Sequence, residues 1–280
     1  MENMDLWHFV DEMRLALYQC GQIALGLQGQ VRLEEKIPDS AYQQSVAVSV
    51  TDRLCQEIIF LRAWELAPEI EVYSEEMAAC PKKVRALFEK NRHRCVLIVD
   101  PVDGTDDYLA GKETFAHMVG LLDQQEGTMV CGMIYFPFSQ KLYWGIRGMG
   151  AFSARGFWGV PRPMRPQVPS KTVGEIKRLT SQDYEAFQSL GFKVVSQQSR
   201  STAYELMRVA RGELGALVMR QFHGHDTGIA GMIIRELGGV EIGIDGQPIV
   251  YEKGMPRLPL VVLTLCPDYG EELSRVLCAK

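Results

Sequence analysis

The stretch Cys95-Val96-Leu97-Ile98-Val99-Asp100-Pro101-Val102-Asp103-Gly104-Thr105-Asp106-Asp107-Tyr108 joins an apolar run to a cluster of acidic residues. The run over 95–99 predicts a buried β-strand, and Pro101 and Gly104 predict a turn directly after it. Four carboxylates then fall within eight positions, at 100, 103, 106 and 107. Such a cluster is stable only where water solvates the charges or cations neutralise them. We expect cations at Asp100 and Asp103, because both follow a buried strand.

A cluster of oxygen ligands suits a hard divalent cation, Mg²⁺ before Ca²⁺ or Mn²⁺. The residues 105–109 predict a short helical turn whose first N–H groups are free to hold an anion such as phosphate. Metal ions beside an anion site are typical of phosphoryl transfer. An ordinary turn is the alternative, since Asp-Gly is a common turn sequence, and Asp245-Gly246 is predicted to be a hairpin turn without further function.

The sequence Asp-Pro-Val-Asp-Gly-Thr over 100–105, followed by Tyr108, resembles the first signature of the inositol monophosphatase family of metal-dependent, lithium-sensitive phosphatases. Glu75 and Glu76 follow a short predicted strand, as a metal-binding acid of the family does. Residues 225–239 resemble the second signature, in which an Asp, here Asp226, opens a helix that ends at Gly-Gly. The three matches occur in the family's order and span most of the chain.

The resemblance implies a metal site built from four acids and one carbonyl. Glu75, Asp100 and the backbone carbonyl of Val102 would hold one Mg²⁺, and Asp100, Asp103 and Asp226 would hold a second. Two or three ions are expected, with Mn²⁺ as a possible substitute and Li⁺ as an inhibitor. Of the two neighbouring glutamates, the first matches the family better, although both remain candidates.

Catalytic roles follow from the same resemblance. Glu75 and Thr105 would position a water molecule for in-line attack on phosphorus, without a covalent intermediate. Asp52 would support Thr105, although a plain helix cap explains Asp52 equally well. The implied substrate-binding set comprises Asp103, Gly104, Thr105, Arg200, Ser201 and Asp226.

Three positions depart from the inositol-specific pattern. A Glu seven residues before the second-signature Asp is replaced by Met219, a Gly-Ser-Ala segment by Arg200-Ser201-Thr202, and a Trp by His225. Met accepts no charge-assisted hydrogen bond, which costs a polyol roughly 1.5–3 kcal/mol of binding. We therefore expect inositol 1-phosphate to be a mediocre substrate, and a ligand with a second anionic group, placed near Arg200, to be better. The pair His223 and His225 offers only two nitrogens and does not favour zinc.

Composition limits the class of protein. The chain has 280 residues, 46% of them apolar and 23% charged, which is typical of globular proteins and favours two domains. The net charge of −5 argues against nucleic-acid binding. Seven scattered cysteines without CxxC spacing predict reduced thiols and a cytoplasmic protein. We found neither a signal peptide nor an apolar run of about 18 residues, so no membrane association is expected.

Hydrophobic periodicity predicts an α/β protein with an α+β N-terminal half over 1–160 and an α/β C-terminal half over 161–280. The division falls at a proline-rich segment, 161–166, and the resemblance implies that the site lies between the halves. The resemblance adds a layered α-β-α-β-α sandwich of the sugar-phosphatase type. The predicted helices cover 5–27, 51–66, 182–190, 202–211, 227–237 and 269–277. The predicted strands cover 45–50, 70–73, 95–99, 115–122, 129–136, 142–146, 176–179, 192–195, 214–219, 240–244 and 260–265.

The predicted function is Mg²⁺-dependent hydrolysis of a small phosphorylated metabolite, such as an inositol phosphate, a sugar phosphate or a nucleotide bisphosphate. A 3′,5′-bisphosphate nucleotidase of the same family is an alternative. An aspartyl-phosphate phosphatase, with Asp100 as nucleophile, is disfavoured because its two acids are spaced by two residues instead of three. A non-catalytic scaffold is disfavoured by the complete set of acids. Relatives suggest a homodimer.

Overall fold

The computed structural model describes residues 5–31, 49–88, 93–167, 170–175, 179–252 and 254–277. The helices are α1 Leu6–Leu27, α2 Val50–Leu66, α3 Lys82–Arg85, α4 Thr105–Leu109, α5 Ser181–Ser189, α6 Thr202–Ala210, α7 Gly224–Glu236 and α8 Pro267–Leu277, with a 3₁₀ turn at Met77–Ala79. The strands are β1 Glu71–Ser74, β2 Cys95–Asp103, β3 Ala116–Asp123, β4 Thr128–Phe136, β5 Lys141–Ile146, β6 Gly150–Arg155, β7 Arg162–Pro163, β8 Thr172–Glu175, β9 Lys193–Val195, β10 Ala216–His223, β11 Val240–Ile242 and β12 Arg257–Thr264.

The strands form two sheets. The first contains β1 to β7 in chain order, and the second has the order β11-β12-β10-β8-β9. In the first sheet β1 is parallel to β2, and the following strands form the predicted antiparallel meander. In the second sheet β10 is parallel to β8 and antiparallel to β12.

Apolar clusters on both faces of each sheet fix the order of the layers. Helices α1 and α2 pack on one face of the first sheet, and α6 and α7 lie between the two sheets. Helices α5 and α8 cover the outer face of the second sheet. The result is the predicted α-β-α-β-α sandwich. No helix in the described ranges combines the length and apolar character needed to cross a bilayer.

A row of glycines seats α7 against the first sheet. Gly120, Gly132 and Gly145 lie opposite one another on β3, β4 and β5. A Cβ atom at Gly132 would lie 2.2 Å from the carbonyl oxygen of Ile229, and one at Gly145 would lie 3.0 Å from Cα of Ile233. The glycines therefore let the backbone of α7 touch the sheet, which fixes the position of the helix and of the residues in its first turn.

Helix α2 begins one residue before the helix predicted over 51–66, and Asp52 is not its N-cap. Ser49 is the N-cap, and Asp52 lies in the first turn, where it accepts a 2.7 Å hydrogen bond from the Ser49 N–H group. The reciprocal pair forms a capping box. Val50 is helical, so the strand predicted over 45–50 does not include it. Positions 45–48 lie outside the described residues.

Two other predictions in the middle of the chain are corrected. β6 is absent from the predicted strands, and it forms because β5 offers a full hydrogen-bonding edge to a segment with a weak hydrophobic pattern. β8 ends at Glu175, whereas a strand was predicted over 176–179, of which 176–178 lie outside the described residues. β7 pairs with β6 within the proline-rich segment, so the first sheet continues to Pro163. The division at 160 stays a prediction.

Candidate active site

Strand pairing brings the first two acids together. Ser74, the last residue of β1, lies opposite Val99 of the parallel strand β2. The N–H group of Glu75 then donates to the carbonyl oxygen of Val99 at 3.1 Å. Because adjacent parallel strands end at the same edge of a sheet, Glu75 lies next to Asp100.

The third and fourth acids complete a compact cluster at that edge. Asp100, Asp103 and Asp226 each offer one oxygen atom, and these atoms lie within 4.8 Å of one another. A second group, with the same limit, contains Glu75, Asp100 and His225. Asp100 belongs to both groups, and Glu75, not Glu76, faces it. The structure therefore brings together the four acids that the sequence predicts as metal ligands.

Burial and neighbouring carboxylates dominate the electrostatics of Asp100 and Asp103. Burial, followed by the charges of Glu75 and Asp226, raises the pKa of Asp100 well above its usual value. Burial and Asp226 raise the pKa of Asp103 to about 7, against the effect of its hydrogen bonds. The Oδ1 atom of Asp100 is buried and has no hydrogen-bond partner among the described residues. Buried carboxylates with an unsatisfied oxygen fit a divalent cation.

Asp103 also connects the two halves of the chain. Its carboxylate accepts hydrogen bonds from the N–H groups of Thr202 and Ala203, both at 3.0 Å, and from the Ser201 hydroxyl. Gly104 has a positive φ of 79°, and a Cβ atom there would lie 2.8 Å from Cβ of Ser201. Glycine is therefore required at 104 by both backbone conformation and close approach.

Thr105 is held by two of the predicted site residues. Its hydroxyl lies 3.0 Å from the carbonyl oxygen of Val102 and 3.4 Å from Oδ1 of Asp52. Burial raises the pKa of Asp52 to about 7, although hydrogen bonds from Ser49 act in the opposite direction. Asp52 thus serves the capping box with one oxygen and Thr105 with the other. Helix capping and support of the signature threonine are compatible roles.

The residues predicted to decide substrate binding lie in different surroundings. Ser201 contacts Asp103 inside the cluster. The Arg200 guanidinium pairs with Asp106 at 2.7 Å, and both side chains are about half exposed. Met219 is fully buried in the apolar core between the sheets. Only Arg200 among these three offers a charge to solvent beside the cluster.

His225 is a site residue that the sequence argument missed. Its side chain is 1% exposed, and Nε2 lies 2.9 Å from Oδ1 of Asp226 and 3.8 Å from Oε2 of Glu75. Burial opposes the charged imidazolium, but Asp226 and Glu75 outweigh it and raise the pKa of His225. In the metal-free protein His225 in turn lowers the pKa of Asp226, although burial acts in the opposite direction. The replacement of the family's Trp at this position was the available signal.

Helix α7 begins earlier than predicted. Its N-cap is His223, and Asp226 lies in the first turn. Asp226 is therefore not the N-cap, and simple capping does not explain its buried carboxylate. His117 is buried, its Nδ1 contacts the carbonyl of Pro101, and burial lowers its pKa to about 4. It supports the turn between Asp100 and Asp103.

Relatives of known name align with most of the chain. It is 26% identical over 248 residues to a fructose-1,6-bisphosphatase/inositol-1-monophosphatase of Aquifex aeolicus, covering 86% of each chain. It is 27% identical to human inositol monophosphatase 2, covering 77% of this chain and 75% of that protein. A 3′(2′),5′-bisphosphate nucleotidase CysQ of Aggregatibacter actinomycetemcomitans is 23% identical, covering 76% of this chain and 81% of that protein.

Solved structures show the same fold. An IMPase of Thermotoga maritima superposes with a TM-score of 0.71 at 18% identity, covering 99% of both chains. An inositol monophosphatase of Anabaena gives a TM-score of 0.72 at 20% identity, covering 99% of this chain and 97% of that one. The sequence model of the inositol monophosphatase family matches residues 11–273. With that match over nearly its whole length, the chain belongs to the inositol monophosphatase family of phosphatases.

Proposed function

We propose that this chain is a Mg²⁺-dependent phosphomonoesterase that hydrolyses a small phosphorylated metabolite. The observation that carries the proposal is Asp100, which is 2% exposed, is shared by two ligand groups and has an oxygen without a hydrogen-bond partner among the described residues. A carboxylate in this setting is unfavourable without a cation. Family membership supports the same chemistry.

The acids divide the proposed metal site between them. Glu75 and Asp100, with the Val102 carbonyl, would hold one ion, and Asp100, Asp103 and Asp226 another, with a third ion allowed by the resemblance. Bound divalent cations supply an activated water molecule and neutralise the charge that develops on phosphate and leaving group. Mn²⁺ is a proposed substitute and Li⁺ a proposed inhibitor.

The remaining chemistry falls to side chains around Thr105. Its hydroxyl is oriented by the Val102 carbonyl and by Asp52. We propose that Thr105 and Glu75 hold the attacking water in line with phosphorus, and that Asp52 keeps the threonine in place. The N–H groups of Gly104 and Thr105 are proposed to bind phosphate oxygens at the turn after β2.

A phosphate-release assay with and without Mg²⁺ tests the proposal. The panel would contain inositol phosphates, sugar phosphates, histidinol phosphate and nucleotide 3′,5′-bisphosphates, with Asp100→Asn as the inactive control. We expect release that requires Mg²⁺ and millimolar Li⁺ to inhibit it. Lack of activity on every ester at saturating Mg²⁺ would favour a binding or scaffolding protein. A phosphorylated Asp100 trapped by acid quench would establish the covalent mechanism instead.

A bisphosphorylated substrate is the second candidate, and Arg200 favours it. The guanidinium is beside the cluster, its partner Asp106 is equally accessible, and Met219 offers no acceptor for a polyol. Relatives named for fructose 1,6-bisphosphate and 3′(2′),5′-bisphosphates agree with this choice. We expect kcat/KM to be lowest for inositol 1-phosphate among inositol 1-phosphate, fructose 1,6-bisphosphate and adenosine 3′,5′-bisphosphate.

Arg200→Ala separates the two candidates. For a bisphosphate bound by Arg200, we expect kcat/KM to fall about tenfold or more, because a charge-assisted hydrogen bond contributes roughly 1.5–3 kcal/mol. Activity on inositol 1-phosphate should change less than about twofold. Equal effects on both substrates, or inositol 1-phosphate as clearly the best substrate, would contradict the bisphosphate assignment.

We also propose a cytoplasmic homodimer, on the strength of the reduced cysteines and of the relatives. The six cysteines in the described part of the chain are free, and five of them are buried. Sedimentation velocity of the purified chain would measure the association state, and fractionation of the cells that make it would measure the location.

A further inference from the structure

His225 places a nitrogen atom where the resemblance predicts oxygen ligands alone. The residue is the second in α7, and its ring contacts those of Tyr73 and His223, with centroids 6.2 Å and 5.4 Å away. The His223 ring is nearly parallel to it, at 14°. These two ring contacts and the burial of His225 restrict the movement of the imidazole.

The Nε2 atom faces the metal candidates. It lies 3.8 Å from Oε2 of Glu75, and a ligand atom of His225 lies within 4.8 Å of those of both Glu75 and Asp100. Two atoms that each lie about 2.1 Å from one ion are no more than about 4.2 Å apart. The separation of Nε2 and Oε2 is within that limit, so one cation can contact both without a large movement.

The contact of Nε2 with the Asp226 carboxylate favours a proton on Nε2, and binding of a cation by Nε2 requires that proton to be on Nδ1 instead. The Nδ1 atom is buried and has no hydrogen-bond partner among the described residues. The ring can therefore present the lone pair of Nε2 to a cation without breaking a hydrogen bond at Nδ1. A cation bound at Nε2 would replace the 2.9 Å contact between Nε2 and Asp226.

We infer that His225 is a nitrogen ligand of the cation held by Glu75 and Asp100, and that it shifts the preference of this site from Mg²⁺ toward Mn²⁺. The inference rests on the proposed metal site. Mg²⁺ prefers oxygen ligands, whereas first-row divalent metals, of which Mn²⁺ is the most weakly binding, also form complexes at sites with mixed nitrogen and oxygen ligands. Two carboxylates and one imidazole therefore favour Mn²⁺ over Mg²⁺ more than an all-oxygen set does.

Pulsed electron paramagnetic resonance of the Mn²⁺-loaded protein tests the ligand directly. HYSCORE spectra detect a ¹⁴N nucleus bonded to Mn²⁺ independently of catalysis. We expect a strong ¹⁴N coupling in the wild type, its loss in His225→Trp and its retention in His223→Phe, a matched change of the neighbouring ring. Labelling the wild type with ¹⁵N-histidine should replace the ¹⁴N signal, which gives a test without any substitution.

Metal selectivity gives the second measurement. By calorimetric titration, His225→Trp should lower the ratio of Mn²⁺ to Mg²⁺ affinity about tenfold or more, as loss of metal-site support commonly does. Mn²⁺ bound tightly without nitrogen coupling in the wild type would overturn the inference and leave the proposed phosphatase intact. No Mn²⁺ or Mg²⁺ binding at all would overturn both.

Discussion

Asp103 and Asp107 lie four residues apart, are both buried, and both contact the segment at the start of α6, yet their electrostatic states are opposite. Asp103 accepts two N–H bonds and a hydroxyl bond there, and its pKa is raised to about 7 by burial and by Asp226. For Asp107 burial acts in the same direction, but bonds from Lys112, Ser199 and the Arg200 N–H group outweigh it and lower the pKa to about 2.

The difference lies in charge, since the number of hydrogen bonds is similar. Asp107 has the ammonium group of Lys112 at 2.8 Å, whereas the charged group that acts most strongly on Asp103 is a second carboxylate, that of Asp226. Asp107 is thus a structural link whose charge is compensated within the protein. Asp103 also links the turn after β2 to the start of α6. Its negative charge, however, would be compensated by a bound cation. We interpret this charge as the mark of the metal site.

The largest effect is expected from Asp103→Asn. Removing one charged ligand should lower kcat/KM about 10³-fold, equivalent to roughly 4 kcal/mol of lost transition-state stabilisation. At pH 4 the free energy of unfolding without metal should change by less than about 1 kcal/mol, and as pH rises toward 7 the variant should become more stable than the wild type, because it lacks the repelled carboxylate. Phosphate release and urea unfolding in EDTA would measure the two quantities. A nearly normal kcat would refute the metal role of Asp103.

The pH dependence of stability should be of opposite sign for the two aspartates. With folded pKa values near 7 for Asp103 and Asp52, against about 3.8 when unfolded, the folded protein binds more protons between these values. The free energy of unfolding of metal-free protein should therefore fall as pH rises from 4 to 7, by at most about 1.4 kcal/mol per pH unit for each group. Asp107 stabilises above about pH 4 and loses that effect as pH falls toward 2.

Urea unfolding in EDTA between pH 4 and 8 would measure this slope. In Asp103→Asn the fall should be smaller, because one of the proton-binding groups is gone. Saturating Mg²⁺ should remove the fall, since the bound ion favours the ionised carboxylates. If the free energy of unfolding of the metal-free protein instead rose steadily from pH 4 to 7, the negative charges of Asp103 and Asp52 would be compensated within the protein.

Asp107→Asn should give the smallest change in activity and a clear loss of stability. We expect about 2–3 kcal/mol of destabilisation, because Lys112 loses its charged partner and donors around a buried group lose their acceptor. Metal affinity should change less than about twofold. Asp106→Asn, which removes only an exposed pair with Arg200, is the matched control and should cost less than about 1 kcal/mol. Comparable losses for both variants would show that Asp107 is not a structural link.

Much of this arrangement could be predicted from local sequence. Three local patterns predict helices, strands and turns: the apolar run before Asp100, the turn residues Pro101 and Gly104, and the 3.6-residue periodicity of the helices. Each acts over a few positions, so it specifies secondary structure independently of how the chain packs. The acids of the cluster could be named because their spacing resembles a family signature. Segments with weak patterns, such as β6, form only because a neighbouring strand offers a hydrogen-bonding edge.

By itself the sequence determined the strand-turn-helix unit around Asp100 and the identity of its acids. Only the tertiary structure decided that Asp103 bonds the start of α6, almost a hundred residues away, and that His225 joins Glu75 and Asp100. These contacts depend on the packing of α7 against Gly120, Gly132 and Gly145 and on the parallel pairing of β1 with β2. Packing and strand pairing act between distant residues, and so no local pattern of charge or hydrophobicity could specify them.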